Sequence, residues 1–169
     1  MAKSEQKDSC YNAMITLGKA EDKDDFDVID VLMKKANPKD WNDFVVLRIY
    51  ELIELSKVHN WYVEKIIIES NFGVALEYLA HVLADQGLHW ITLEGKHNTL
   101  AKEYRIKGMQ PMIQSCRSKL PSLELAHDPL SVELLIQELE NYPLWEHIDG
   151  LDAWSMGLAD FMKVKQVIF

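Results

Sequence analysis

Histidines and carboxylates at helical spacings are the side chains of this sequence with the clearest chemical potential. Trp90, Leu93, His97, Leu100 and Tyr104 fall at alternating steps of three and four, which predicts a helix over about 89–104 with these residues on one face and His97 at its centre. An imidazole among apolar neighbours is either satisfied by a carbonyl or carboxylate or acts as a ligand. Glu77, His81 and Asp85 recur every fourth residue and so share a helical face. That face lies roughly 180° from the Phe72, Leu76, Leu79, Leu83 stripe, which predicts a solvated charged surface rather than a metal site. Glu94–His97 and Glu124–His127 both have the ExxH spacing by which di-metal helical proteins present two ligands. The second copy is confined between Pro121 and Pro129, and a di-metal site needs further glutamates from two other helices, so chance spacing is the simpler reading.

Other motifs are missing from the sequence. The glycines form no GxG, no GxxxxGK[ST] loop and no GxSxG elbow, and HExxH is absent, which removes the main support for common nucleotide-binding, hydrolase and metalloprotease chemistry. Cys10 and Cys116 form no CxxC pair and are expected to be free, buried thiols. Arg48 to His59 and Arg117 to His127 are too widely spaced for the RxxxxH pattern of helical ribonucleases.

Pro38 and Phe44 have the spacing of the globin C-helix proline and the phenylalanine that packs on haem. Over roughly a third of its length the chain faintly resembles the globins, without sharing a specific motif. The resemblance implies a haem, with Phe44 packed on it and His97 as its proximal ligand. No histidine stands at a matching distal position, and the interval from His97 to the final helix is longer than the globin pattern.

The elements that would carry these residues read as helices almost throughout. Tyr11, Met14 and Ile15 offer one short amphipathic turn, and Phe26, Ile29, Leu32, Met33 and Ala36 have helical spacing, with acidic residues before them and Lys34 and Lys35 near the end. Asn37-Pro38 stops that helix and caps a second, whose apolar residues from Trp41 to Leu55 cover most of its circumference. Residues 61–69 are assigned to a helix, although Ile66, Ile67 and Ile68 also favour a strand. Ser70-Asn71 opens a helix that ends at Gly87-Leu88. Pro111 is expected to start another that Pro121 limits, Asp128-Pro129 to cap the next, and Asp149 to cap the last after a break at Tyr142-Pro143. The expected fold is therefore all-α, a compact single-domain bundle of about seven or eight helices. Residues 1–9 are expected to form a flexible N-terminus and 10–169 one helical domain.

Composition bounds the function. The chain has 169 residues, is 48% hydrophobic and carries a formal charge of -9, so it should fold around a substantial core. Its charge has the wrong sign for neutralising a phosphate backbone, which argues against nucleic acid. The polar start and the lack of a long apolar run predict a cytoplasmic protein without a membrane partner. The reading that follows is a non-enzymatic helical interaction protein, a regulator, adaptor or toxin-neutralising immunity-type protein. It would use an acidic surface to meet another, basic protein, with Asp24, Asp25, Asp27 and Trp145 as contact residues and no cofactor. The alternative is a haem-binding globin-like protein, or another metal-binding helical protein, using His97 and Phe44. An enzyme built from scattered carboxylates is the third class.

Overall fold

The computed structural model describes residues 11–19, 25–59, 61–69, 73–97, 99–145 and 147–163, of which 73–75 and 163 are described by backbone alone. Among the described residues are five helices and two two-stranded sheets. The all-α bundle of seven or eight helices is thereby corrected to a mixed α/β architecture. The contacts of the chain divide it into two compact units, one of residues 1–35 and 100–169, the other of residues 36–99. No helix among the described residues is long and apolar enough to cross a membrane.

The first unit is built on a hairpin of β1 (Asn12–Lys19) and β2 (Phe26–Lys34), paired antiparallel with an irregularity between Thr16 and Leu17. The helix expected from Phe26 to Ala36 does not form. Phe26 and Val28 are buried while Asp27 and Ile29 are exposed, which is a period of two; from Asp30 to Met33 both faces are covered, and the alternation disappears. That continuous burial, together with an apolar Ile29 on the exposed face, lets Phe26, Ile29, Leu32 and Met33 mimic a helical stripe. Three helices complete the unit, α3 (Lys102–Gln114), α4 (Pro129–Asn141) and α5 (Asp149–Lys163), with α5 packed on β1, α4 on β2 and α3 on α5. Trp154, Leu135, Leu151, Leu158, Val31 and Ile106 form the centre of the core, each with almost no exposed surface.

Polar groups fix the edges of this unit. Phe26 and Val28 donate their N–H groups to the carbonyls of Arg117 and Lys119, at 2.8 Å each, so an irregular segment lines the free edge of β2. Ser118 donates to the Phe26 carbonyl at 2.6 Å and accepts from the Trp154 indole at 3.2 Å. On α4, Asp128 accepts from the Ser131 N–H as an N-cap ahead of Pro129, as the sequence predicts. The buried Ser131 hydroxyl in turn accepts from the Met33 N–H at 2.9 Å.

Pro111 does not begin a helix but lies inside α3. That helix stops at a left-handed residue, Cys116, with φ 55, where Cys116 N–H reaches the Ile113 carbonyl and Arg117 N–H the Met112 carbonyl. Cys116 is a free thiol and is exposed, contrary to the expected burial. Cys10 lies outside the described residues, as does the expected flexible segment 1–9.

The second unit comprises α1 (Pro38–His59), β3 (Lys65–Glu69), α2 (Gly73–Asp85) and β4 (Thr92–Lys96). Asn37 caps α1 by accepting from the N–H groups of Lys39 and Asp40 at 3.1 and 3.0 Å, which matches the Asn-Pro signal. The helix assigned over 61–69 does not form: residues 65–69 are a strand, the alternative that Ile66 to Ile68 favoured, and pair in parallel with β4 around the crossover helix α2. Gly87, with φ 71, ends α2 while Leu88 N–H bonds to the Leu83 carbonyl at 2.9 Å, the glycine terminator predicted there. Leu76 lies 3.3 Å from where a side chain on Gly95 would begin, so α2 closes onto β4 at the one residue without a Cβ.

Candidate functional site: a buried carboxyl under an aromatic rim

The helical face proposed for His97 does not exist. Residues 89–91 form a turn, 92–96 are β4, and α3 starts only at Lys102. His97 follows β4 as an exposed residue, and Trp90, Leu100 and Tyr104 are exposed as well. A strand with one residue in two on each face cannot gather residues spaced by three and four onto one stripe. Phe44 lies on an exposed part of α1. Glu94 is on a strand, and Glu124 and His127 lie in the exposed segment before α4, so neither ExxH pair is helical. Glu77, His81 and Asp85 are exposed on α2, in line with a solvated face. Among the described residues no cluster of three or more His, Cys, Asp or Glu side chains could hold a metal ion.

The first unit holds a different constellation. The buried stripe of α4 runs through Ser131, Val132 and Leu135 to Glu138, which places a carboxyl where an apolar residue would ordinarily sit. Glu138 is only 2% exposed. Its Oε2 accepts the Leu151 N–H at 2.9 Å and the carboxyl also interacts with the Gly150 N–H, so it serves as the acceptor for the start of α5 from a neighbouring helix. Asp149 does not take the capping role predicted for it, because its Oδ1 is turned to the Lys102 ammonium at 2.6 Å. Gly150 permits a close approach here: a Cβ would lie 2.8 Å from both the Leu135 and Met33 side chains and 3.0 Å from Glu138 Oε2. One turn further, Asp152 receives Arg105 in a two-pronged pair at 2.8 and 2.6 Å, joining α3 to α5.

Glu138 Oε1 is different from its partner oxygen. It is buried and has no hydrogen-bond partner among the described residues. Burial pushes the Glu138 carboxyl up from 4.5 to about 7; the Leu151 and Gly150 N–H groups oppose this, Asp149 adds to it, and Lys102 opposes it weakly. The carboxyl thus changes charge near neutrality, where it can exchange a proton or act as counter-ion to an incoming cation.

Glu138 lines a cavity of about 260 Å³. Met33 and Leu134 supply apolar wall, Tyr11 and Trp145 aromatic wall, and Gln137 and His147 polar groups. His147 Nδ1 is a second buried atom without a partner among the described residues, and the imidazole meets Tyr11 edge-on, with 6.4 Å between ring centroids. Lys35 completes the lining, its ammonium 5.1 Å from the centre of the Tyr11 ring. Trp145 is 38% exposed and the adjoining Leu144 is 91% exposed, after a turn containing the cis Tyr142–Pro143 peptide.

Of the candidate contact and ligand residues named from sequence, Trp145 is the one among the described residues that lines this cavity. Asp25 is half-buried, Asp27 is exposed, and both lie at the start of β2, whereas Met33 and Lys35 lie at its end, roughly 20 Å along a strand. Asp24 lies outside the described residues. Glu138 escapes a reading based on motifs, because its partners come from another helix. A helical wheel drawn on Ser131, Leu135 and Glu138 could have found it, since spacings of four and three put the carboxyl on the core face. Compared with known proteins, the chain matches no family model and no curated protein.

Proposed function

We propose that this chain is a non-enzymatic protein-protein interaction protein, of the regulator, adaptor or toxin-neutralising kind, whose contact surface centres on Trp145. One observation carries this reading: a partly exposed tryptophan, adjoined in the chain by the exposed Leu144, lines a small cavity together with the buried Glu138, whose Oε1 has no partner among the described residues. A tryptophan beside a desolvated pocket is the usual form of an interface anchor, because it offers a large rigid area at low entropic cost while neighbouring apolar groups exclude water. The charge of -9, with Asp25 and Asp27 on the same unit, favours a basic partner through long-range attraction.

The test compares co-purification by the native protein and by Trp145→Ala from the source cells, with mass spectrometry of what is retained. A single protein should be retained by the native chain and lost with Trp145→Ala, and it should then bind the native chain when purified, with an affinity reduced at least tenfold by the substitution. Equal retention by a correctly folded Trp145→Ala would refute the assignment of the surface.

A further inference from the structure

We propose that the cavity of the first unit is a recognition site for one alkylammonium group, with Glu138 as its counter-ion and Tyr11, Met33, Leu134 and Trp145 enclosing the carbon stem. The source of that group, in the interaction reading on which this part rests, is a lysine side chain of the protein partner; a free primary amine has the same chemistry.

The argument starts from the unsatisfied atom. A carboxylate that is 2% exposed, with one oxygen committed to the start of α5 and the other without a partner among the described residues, retains an unpaid desolvation cost. A donor placed on Oε1 removes it, and a charged donor removes more than a neutral one. Size selects the ligand next. A volume of about 260 Å³ falls below the roughly 300–1,000 Å³ of pockets for drug-sized molecules, but accommodates one long unbranched side chain. The walls agree, since the stem of a lysine is apolar and its head is a compact cation that aromatic faces also attract.

The surrounding charges sharpen the selection. From α5 Asp149 faces Glu138, and from α3 Lys102 does; Lys35, His147 and Tyr11 line the cavity itself. The Lys35 ammonium, held on Tyr11, disfavours a second positive charge on the ligand. A single ammonium on an apolar stem therefore fits better than a diamine. Pairing with the cation requires Glu138 to be ionised, so binding releases a proton and strengthens as the pH rises through neutrality.

The experiment is a titration of the ¹⁵N-labelled full chain with n-butylammonium chloride, followed by amide shifts of residues lining the cavity. Saturable shifts confined to the cavity are expected at pH 8, with affinity about tenfold weaker at pH 6, where a carboxyl titrating near 7 is about nine-tenths protonated. Glu138→Gln should lose the binding and the pH dependence, 1-butanol should not bind, and Lys35→Met should bind at least as tightly as the native chain. A His147→Gln variant that keeps the pH dependence assigns the proton to Glu138. Nα-acetyl-lysine methylamide separates the sources: binding like butylammonium supports a partner lysine, and exclusion while butylammonium binds assigns the site to free amines. No saturable shift with butylammonium, equal binding of butanol, or undiminished binding to a folded Glu138→Gln would overturn the site. Loss of a partner on Trp145→Ala without any amine binding would overturn the site alone and leave the interaction surface standing.

Discussion

Replacing Glu138 by glutamine gives a stability signature that no ordinary surface carboxylate would produce. The folded carboxyl titrates at about 7 against an ordinary 4.5, an interval that at about 1.4 kcal/mol per pH unit corresponds to ~3 kcal/mol. The folded state holds the proton more tightly than the unfolded chain. The favourable contribution is therefore fully present below 4.5, declines as the pH rises between the two values, and is gone above about 7. Glutamine keeps a carbonyl to accept the Leu151 N–H but carries no charge, so its own contribution should be flat with pH. Its NH₂ group is a buried donor in place of Oε1, which shifts the comparison by about 1 kcal/mol at every pH without changing the slope. Urea unfolding at pH values from 4 to 8, read from the buried Trp154 indole N–H that bonds to Ser118 Oγ, reports on this unit. The native protein should lose ~3 kcal/mol relative to Glu138→Gln across that range. A constant difference, or a native protein that gains on the variant as pH rises, would refute the assigned burial and charge of Glu138.

Three further outcomes test the scaffold around it. Arg105→Ala leaves the buried Asp152 carboxylate without its two-pronged partner, with the Lys102 ammonium still 3.8 Å away, and should cost up to about 3 kcal/mol in chemical denaturation; a loss under 1 kcal/mol would show that the α3–α5 pair is solvated. Gly150→Ala forces a methyl against Leu135, Met33 and Glu138 and should destabilise by about 1–3 kcal/mol, read as a lowered Tm, whereas an unchanged or raised Tm would contradict the close approach of α4 to the start of α5. At the left-handed Cys116, glycine should be more stable than valine by about 1–2 kcal/mol although the site is exposed, and equal denaturation midpoints would argue against that backbone geometry.

The parts of the fold that could be read from sequence are those decided by a few adjacent residues. Asn37-Pro38, Asp128-Pro129 and Gly87-Leu88 each satisfy or end a helix with their own atoms, and the bonds expected of them are present. The strands depend on distant partners. Lys65 to Glu69 pairs with Thr92 to Lys96 across a whole helix, so Ile66 to Ile68 can be assigned only once that partner is known. Phe26 to Lys34 is buried on both faces over its second half, which erases the alternation that marks a strand. His97 illustrates the opposite error, a regular spacing that tertiary structure does not use, since the turn before Thr92 and the strand after it break the stripe. Trp145 could be singled out because a proline break tends to leave an aromatic at the surface. Glu138 could not be assigned a role, because its significance comes from α5 N–H groups beyond the end of its own helix.

The most direct measurement of the central claim is the ¹³C resonance of the Glu138 side-chain carboxyl, assigned by its loss in Glu138→Gln and followed from pH 4 to 9 in the folded full chain. A buried carboxyl with one uncommitted oxygen, on a residue that lines the Trp145 cavity, predicts a midpoint at about 7, moving downward when n-butylammonium is added. A midpoint near 4.5, unmoved by the amine, would contradict it.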